Sequence, residues 1–163
     1  MNKPLLPKSS LSLKLPTPDR GLETYRLAAS RTFPDKLQGT LNRVAFSAAH
    51  VVCDPLADVD PWLSAAIDWD KTIAFREHIW DLGLGVAEAM DTAQRGMGLD
   101  WPAARELIRR SLAEARATGG GGAIVCGAGT DQLAPADGVT LADVERAYAE
   151  QVGYVEGLGD VWS

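Results

Sequence analysis

Residues that could do chemistry lie within or directly after three short apolar runs, at positions 43–52, 85–90 and 123–126. Imidazole and carboxylate side chains can move protons, while hydroxyl, carboxylate, guanidinium and backbone amide groups can orient polar parts of a substrate. We therefore predict two candidate catalytic residues, His50 and Glu88. The predicted substrate-binding residues are Asp91, Thr92, Arg95, Gly127, Gly129, Thr130 and Asp131.

Each candidate also has a structural explanation. His50 could be a buried histidine satisfied by hydrogen bonds, since imidazole at a strand end suits both roles. Glu88 lies between two alanines in an apolar run, where an unpaired carboxylate would cost several kcal/mol. It is therefore either a functional group inside a barrel or half of an ion pair, with Arg95 as the candidate partner. Asp91 and Thr92 could cap a loop.

The Gly127–Ala128–Gly129 segment also has a structural and a functional interpretation. A dinucleotide-binding motif needs its glycines to open a helix directly, whereas the next helix is predicted to begin at Thr140. A tight loop is the simpler interpretation. Its exposed backbone amides could still hold a carboxylate or a phosphate.

Metal and cofactor sites have little support in the sequence. Of the two histidines, His78 falls inside a predicted helix, which argues against a histidine-rich zinc site. Oxygen ligands for Mg²⁺ could come from Glu88, Asp91 and Asp131, but their spacing is not diagnostic. Cys53 and Cys126 lack partners at metal-ligand spacing and are interpreted as free thiols. We predict no metal and no cofactor.

Composition favours a globular protein of one domain. The 163 residues are 46% hydrophobic and 23% charged, with a net charge of −6. An acidic balance argues against binding to nucleic acid or an anionic membrane, because both need clustered Lys and Arg. The sequence has no apolar run of 18 residues. We predict a cytoplasmic protein whose partners are a small-molecule substrate and further copies of itself.

The elements that must position these residues form a regular strand and helix alternation. The three apolar runs begin near Arg43, Gly85 and Ala123, each is followed by a predicted helix, and a fourth run begins at Val161. Such alternation is typical of parallel sheets, whose ligands bind at the carboxyl ends of the strands. Asp100 is the predicted cap of the second helix, whose predicted apolar stripe is Ala104, Leu107, Ile108, Leu112 and Ala115. Thr140 with Asp143 is a capping-box signature for the third helix, whose predicted buried stripe is Leu141, Val144, Tyr148, Val152 and Val155.

The N-terminal 42 residues form a separate predicted segment. Leu11, Leu13 and Leu15 alternate with polar residues, which is the pattern of a half-buried strand. The Pro- and Gly-containing residues 16–21 predict a turn, and residues 22–27 predict a returning strand. We therefore divide the chain into a hairpin that caps or plugs the main body, 1–42, and a body of βα units, 43–163.

Three segments resemble an uncharacterised bacterial family described as dihydrodipicolinate synthase-like: residues 43–52, residues 85–101 (GVAEAMDTAQRGMGLDW) and residues 127–131. The resemblance implies a TIM barrel of the class I aldolase group and carbon–carbon bond cleavage or formation on a small oxo compound through a lysine Schiff base. Residues 124–129 also look like the third-strand glycine motif of dihydrodipicolinate synthase itself. That enzyme's keto-acid motif, Gly-Thr-Thr-Gly-Glu, is replaced here by residues 88–92 (EAMDT).

A complete barrel needs eight strands and roughly 250 residues, so we expect an α/β fold that is a partial (β/α)8 TIM barrel, with about three βα units plus the N-terminal β-hairpin. The family's lysine lies on the sixth strand, and none of the five lysines here falls on a predicted barrel strand. We expect the chain to be inactive as an aldolase or lyase. One alternative is a non-catalytic half-barrel that self-associates or needs a partner chain, and another is a small-ligand-binding α/β module.

Overall fold

The computed structural model describes residues 12–27, 33–60, 65–90, 95, 98–118 and 122–159. The chain divides into two compact units, with the boundary between Pro34 and Asp35. Within the described residues, no helix is both long and apolar enough to cross a lipid bilayer.

The first unit is a β-hairpin. Strands β1 (Ser12–Pro16) and β2 (Leu22–Arg26) pair antiparallel, with Leu13 opposite Tyr25. The turn is closed by two backbone hydrogen bonds of 3.0 Å, from the Thr17 amide to the Gly21 carbonyl and from the Arg20 amide to the Thr17 carbonyl. The hairpin predicted from alternating leucines is therefore present, while its role as a plug stays a prediction.

The second unit is a three-stranded parallel sheet with three helices. Strands β3 (Phe46–Ala48), β4 (Gly85–Glu88) and β5 (Ile124–Cys126) lie in the order β3-β4-β5. The helices are α1 (Trp69–Asp81), α2 (Trp101–Ala117) and α3 (Leu141–Gly157). The α/β class is confirmed. The described sheets, of two and three strands, form no closed barrel, and the partial (β/α)8 barrel stays a prediction.

Side-chain caps fix where the helices begin. Asp68 accepts a hydrogen bond from the amide of residue 71 at 3.0 Å, and Asp100 accepts one from the amide of residue 103 at 2.9 Å. Thr140 and Asp143 form the predicted capping box, in which each side chain bonds the other residue's amide. These bonds satisfy amides that would otherwise lack partners in the first helical turn, so the sequence signals for α2 and α3 are confirmed.

The apolar core lies on one face of the sheet. Val86 on β4 and Ile124 on β5 point the same way and are buried with residues of α1 and α2. The predicted apolar stripe of α2 is buried in full: Ala104, Leu107, Ile108, Leu112 and Ala115. On the opposite face, Phe46 is 39% exposed and Val125 is 42% exposed.

The predicted buried stripe of α3 is wrong for Leu141, Tyr148 and Val152, which are exposed, whereas Val144 is half-buried and Val155 packs against the core. The fully buried residues of α3 are Ala147 and Gln151. The face that packs continues one further turn to Tyr154, whose ring meets the ring of Trp101 edge-on with centroids 5.5 Å apart. The helix is therefore held by contacts to α2 and to the loop after β5 together with the packing of Val155 and Tyr154 against the core.

Candidate functional site

A cavity of about 720 Å³ lies at the carboxyl ends of β4 and β5. This is the edge at which ligands bind in parallel α/β sheets. Its walls combine small apolar residues with a few polar groups, as ligand cavities commonly do. The lining residues are Ala89, Met90, Arg95, Val125, Cys126, Gly127, Ala128, Gly129, Thr130, Asp131 and Tyr148.

Gly127 allows the two strand ends to approach closely. Its amide donates to the Glu88 carbonyl at 2.9 Å, which extends the pairing of β4 with β5 by one residue. A Cβ at this position would lie 2.8 Å from the Ala89 carbonyl oxygen and 2.8 Å from the Met90 sulfur. Gly127 does not have a left-handed backbone. Glycine is therefore required here because a Cβ would not fit, and not because of the backbone conformation.

Ala89 does have a left-handed backbone, with φ of 50°. This conformation is uncommon for a residue with a Cβ and costs on the order of 1–3 kcal/mol. Ala89 is fully buried and lines the cavity directly after β4. The surrounding contacts must offset this strain, and strain of this kind concentrates at functional sites.

Arg95 joins the loops that follow the two strands. Its Nη1 donates to the Ala89 carbonyl at 3.2 Å and to the Gly127 carbonyl at 2.9 Å. Its Nη2 bonds the Asp131 carboxylate and the Gln151 amide oxygen. The Arg95 side chain is only 6% exposed, so these contacts form in a largely dry environment. Arg95, Asp131, Gln151 and Gln132 are hereafter the Arg95 network.

Gln151 reaches from α3 into the centre of that network. Its Oε1 accepts from the Gly129 amide at 2.7 Å, while its Nε2 donates to Asp131 at 2.9 Å and to Gln132 at 2.5 Å. Partial burial alone would raise the pKa of Asp131. The hydrogen bonds from Gln151 and Arg95, together with the guanidinium charge, outweigh burial and hold that pKa below its ordinary value.

Glu88 lies on the helix-covered face of the sheet, in register with Cys126, and is not among the residues that line the cavity. Its carboxylate is fully buried and pairs with Arg76 of α1 through two bonds of 2.9 Å. Ser111 of α2 donates to it at 2.5 Å and the Ala89 amide donates at 3.0 Å. Glu88 thus has an ion-pair partner, but that partner is Arg76, and Arg95 pairs with Asp131 instead.

Apart from Glu88, the predicted site residues fall into three groups. Arg95, Gly127, Gly129, Thr130 and Asp131 line one cavity. His50 is exposed outside this lining, and its carbonyl accepts a hydrogen bond from Arg76 at 2.5 Å. Asp91 and Thr92 lie outside the described residues.

Three residues important to this edge of the sheet were missed by sequence reasoning. Arg76 sits one turn after Thr72 on α1, and Gln151 one turn after Ala147 on α3. A polar residue on the buried side of a helix was the available signal for Gln151, whereas the apolar residues of α1 form no single stripe from which the burial of Arg76 could be predicted. Cys126 lines the cavity directly, and burial, aided by the charge of Glu88, raises the pKa of its thiol to about 12. It is a neutral thiol near pH 7 and a poor nucleophile.

Chemically, this arrangement suits binding more than metal or thiolate chemistry. Among the described residues, no three His, Cys, Asp or Glu side chains come close enough to hold a metal ion. The lining includes Thr130 and Tyr148, which carry hydroxyl groups, and the loop of residues 127–131. Such groups can orient a small polar molecule.

One protein family matches almost the whole chain. The model of this family, described as a protein of unknown function (DUF993), matches residues 13–161. No curated protein matches the chain. The match includes both strand-end loops of the cavity and all three helices.

Proposed function

The chain belongs to the DUF993 family, and we propose that its cavity beyond β4 and β5 binds a small oxo compound. The observation that carries this proposal is the position of the cavity, at the carboxyl ends of parallel strands. Ligands of open α/β sheets and of TIM barrels bind at that edge. The loop that resembles the third-strand glycine motif of dihydrodipicolinate synthase, residues 127–129, forms part of its wall.

Different residues of the cavity have different roles in binding. Thr130 and Tyr148 supply hydroxyl groups to the ligand, and the apolar wall of Ala89, Met90 and Val125 accommodates a short carbon chain. The Arg95 network holds the two loops in place, because the described guanidinium bonds all go to groups of the protein. The proposed ligand is therefore small and carries at least one hydrogen-bond acceptor.

The finer proposal is that the sheet is part of a (β/α)8 barrel of the dihydrodipicolinate synthase-like type. It rests on the resemblance of residues 85–101 and 127–131. A Schiff base needs a lysine amine, and the sequence has no lysine after Lys71, whereas the cavity lining begins at Ala89. We therefore propose ligand binding by this chain without covalent catalysis.

Calorimetry with pyruvate, 2-oxobutanoate and the uncharged 2,3-butanedione tests this proposal. At least one should bind, and Thr130→Val should weaken that binding because it removes a hydroxyl of the lining without changing the side-chain shape. Borohydride treatment in the presence of pyruvate should leave the chain unlabelled. Absence of binding by all three compounds would refute the proposed ligand class, and covalent labelling would refute the non-covalent role.

A second candidate function is self-association through the open face of the sheet. Phe46 and Val125 are 39% and 42% exposed on that face, beside Ala48. Apolar surface of this kind is normally covered by another element or another chain. Sedimentation velocity over a concentration series should show association that Val125→Glu reduces. A monomer at every concentration would refute this second candidate.

A further inference from the structure

We propose that the loop of residues 127–130 is a binding site for an anionic group, a carboxylate or a phosphate, held by the backbone amides of Ala128 and Thr130 and by the Thr130 hydroxyl. This inference rests on the proposed function, since it specifies the charge of the small ligand and the atoms that bind it. Glu88, the carboxylate singled out by sequence reasoning, takes no part.

Alternate amides of the loop are already occupied. The Gly127 amide bonds the Glu88 carbonyl at 2.9 Å, and the Gly129 amide bonds the Gln151 side chain at 2.7 Å. Within the described part of the chain, the amides of Ala128 and Thr130 donate to no protein atom. Ala128 is exposed and Thr130 is half-buried, and both residues line the cavity. Their amides can therefore donate to water in the free protein and to an acceptor on a ligand that enters the cavity.

The loop is held in shape from behind by buried groups. Gln151 is fully buried, and it bonds the Gly129 amide and the Asp131 carboxylate at the same time. Arg95 bonds the Gly127 carbonyl at 2.9 Å. Because these contacts fix the loop before any ligand arrives, binding would not have to order it, and preorganised amides bind anions well.

The charges around the loop allow an anion to enter. The charge of the Asp131 carboxylate is balanced by Arg95, and Gln151 donates a further hydrogen bond to it. Glu88 is paired with Arg76 behind the sheet. The Cys126 thiol is uncharged near pH 7. An ideal Cβ at Gly129 would lie 3.3 Å from Asp131 Oδ1 and 3.5 Å from Arg95 Nη2, so the paired carboxylate and guanidinium both lie behind the proposed site, and the backbone amides and the Thr130 hydroxyl must supply the attraction for the anion.

The test compares anionic and uncharged probes by ¹H–¹⁵N NMR titration of the full chain. Pyruvate, inorganic phosphate and 2,3-butanedione are added separately, because 2,3-butanedione keeps the oxo group of pyruvate and replaces its carboxylate with an acetyl group. Pyruvate or phosphate should shift the amide signals of Ala128 and Thr130 downfield. The preferred anion should bind roughly tenfold or more tightly than 2,3-butanedione, and which anion is preferred distinguishes a carboxylate from a phosphate ligand.

Two variants locate the site. Ala128→Pro removes one proposed donor without changing charge, and Thr130→Val removes the hydroxyl. Each should weaken binding of the preferred anion by roughly tenfold. Ala128→Pro should have a smaller effect on 2,3-butanedione, which has no anionic group, whereas Thr130→Val should weaken both ligands because the Thr130 hydroxyl also serves the oxo compound. Thr118→Val is the matched control, since Thr118 lies at the end of α2 outside the cavity lining. If circular dichroism shows that Ala128→Pro does not fold, the Thr130→Val variant and the amide shifts of the wild-type protein test the anion site instead.

The outcomes separate the inference from the proposed function. Equal affinity for the preferred anion and 2,3-butanedione, or anion binding that leaves the amides of Ala128 and Thr130 unshifted, would overturn the anion site while leaving oxo-compound binding intact. Failure of pyruvate, 2-oxobutanoate and 2,3-butanedione to bind would overturn the proposed function, and shifts of the two amides induced by phosphate alone would then still support the anion site.

Discussion

Arg76→Met should destabilise the protein by about 3–5 kcal/mol, because it leaves the buried carboxylate of Glu88 without its positive partner. Both side chains of this pair are 0% exposed. Methionine keeps much of the length of arginine, so the main loss is the charge and its hydrogen bonds. A carboxylate that cannot reach water must then be neutralised, or the fold must open.

The magnitude follows from the contacts of the carboxylate. Of its four hydrogen bonds, the two from Arg76 are each 2.9 Å long, and the remaining two come from the uncharged Ser111 hydroxyl and Ala89 amide. Unit charges roughly 4 Å apart attract by about 4 kcal/mol at an effective dielectric constant near 20. Two neutral donors do not replace that attraction, so the expected loss is a large part of the 5–15 kcal/mol that stabilises a typical domain.

Urea unfolding followed by circular dichroism measures the effect. Arg109→Met is the matched control, since Arg109 lies on α2 with its side chain 52% exposed and paired to Glu106. Exposed pairs of this kind contribute at most about 1 kcal/mol. The double variant Arg76→Met/Glu88→Leu should recover much of the lost stability, because it removes both buried charges. An Arg76→Met variant no less stable than Arg109→Met would refute the buried ion pair.

Three further predictions concern the cavity and the third helix. Gly127→Ala should lower the free energy of unfolding by about 1–3 kcal/mol through overpacking at the strand ends. Gly153→Ala is the control and should be neutral or stabilising, because a Cβ there meets nothing within 4 Å. Equal effects of the two substitutions would contradict the close approach of the two strand ends at Gly127. Asp131→Asn should be less stable than wild type near neutral pH. The folded pKa of Asp131 is below its ordinary 3.8. The stability difference between wild type and Asp131→Asn should therefore shrink as the pH falls below 3.8 and through the folded pKa. A stability difference independent of pH would contradict the role of the Asp131 charge. Thr140→Ala should cost about 1 kcal/mol by removing the cap of α3, and unchanged amide exchange in the first turn of α3 would disagree with this.

Local signals in the sequence were sufficient for the elements. Alternating leucines predicted the hairpin, and apolar runs predicted the three parallel strands. Asp100 and Thr140 marked the beginnings of α2 and α3 because capping depends on a few neighbouring residues. The clean apolar stripe of α2 likewise predicted its buried face. The parallel direction of the strands followed from the helices between them, because parallel strands need such crossover connections.

The side-chain partners could not be predicted in the same way. Glu88 needed a buried cation, but Arg76 lies 12 positions away on a helix whose apolar residues form no single stripe, so its burial left no local signal. The buried face of α3 was predicted incorrectly for a related reason. Its orientation is set by Gln151 bonding the loop after β5, a long-range polar contact that hydrophobic periodicity does not encode.

The most direct test of the central claim is a crystal structure of the chain with a bound 2-oxo acid. Pyruvate is the first choice, because it is small enough for a cavity of about 720 Å³. We predict ligand density beyond the ends of β4 and β5, between the Thr130 hydroxyl and Tyr148, with the carboxylate on the amides of Ala128 and Thr130. Density for pyruvate at another site, with this cavity empty, would contradict the account.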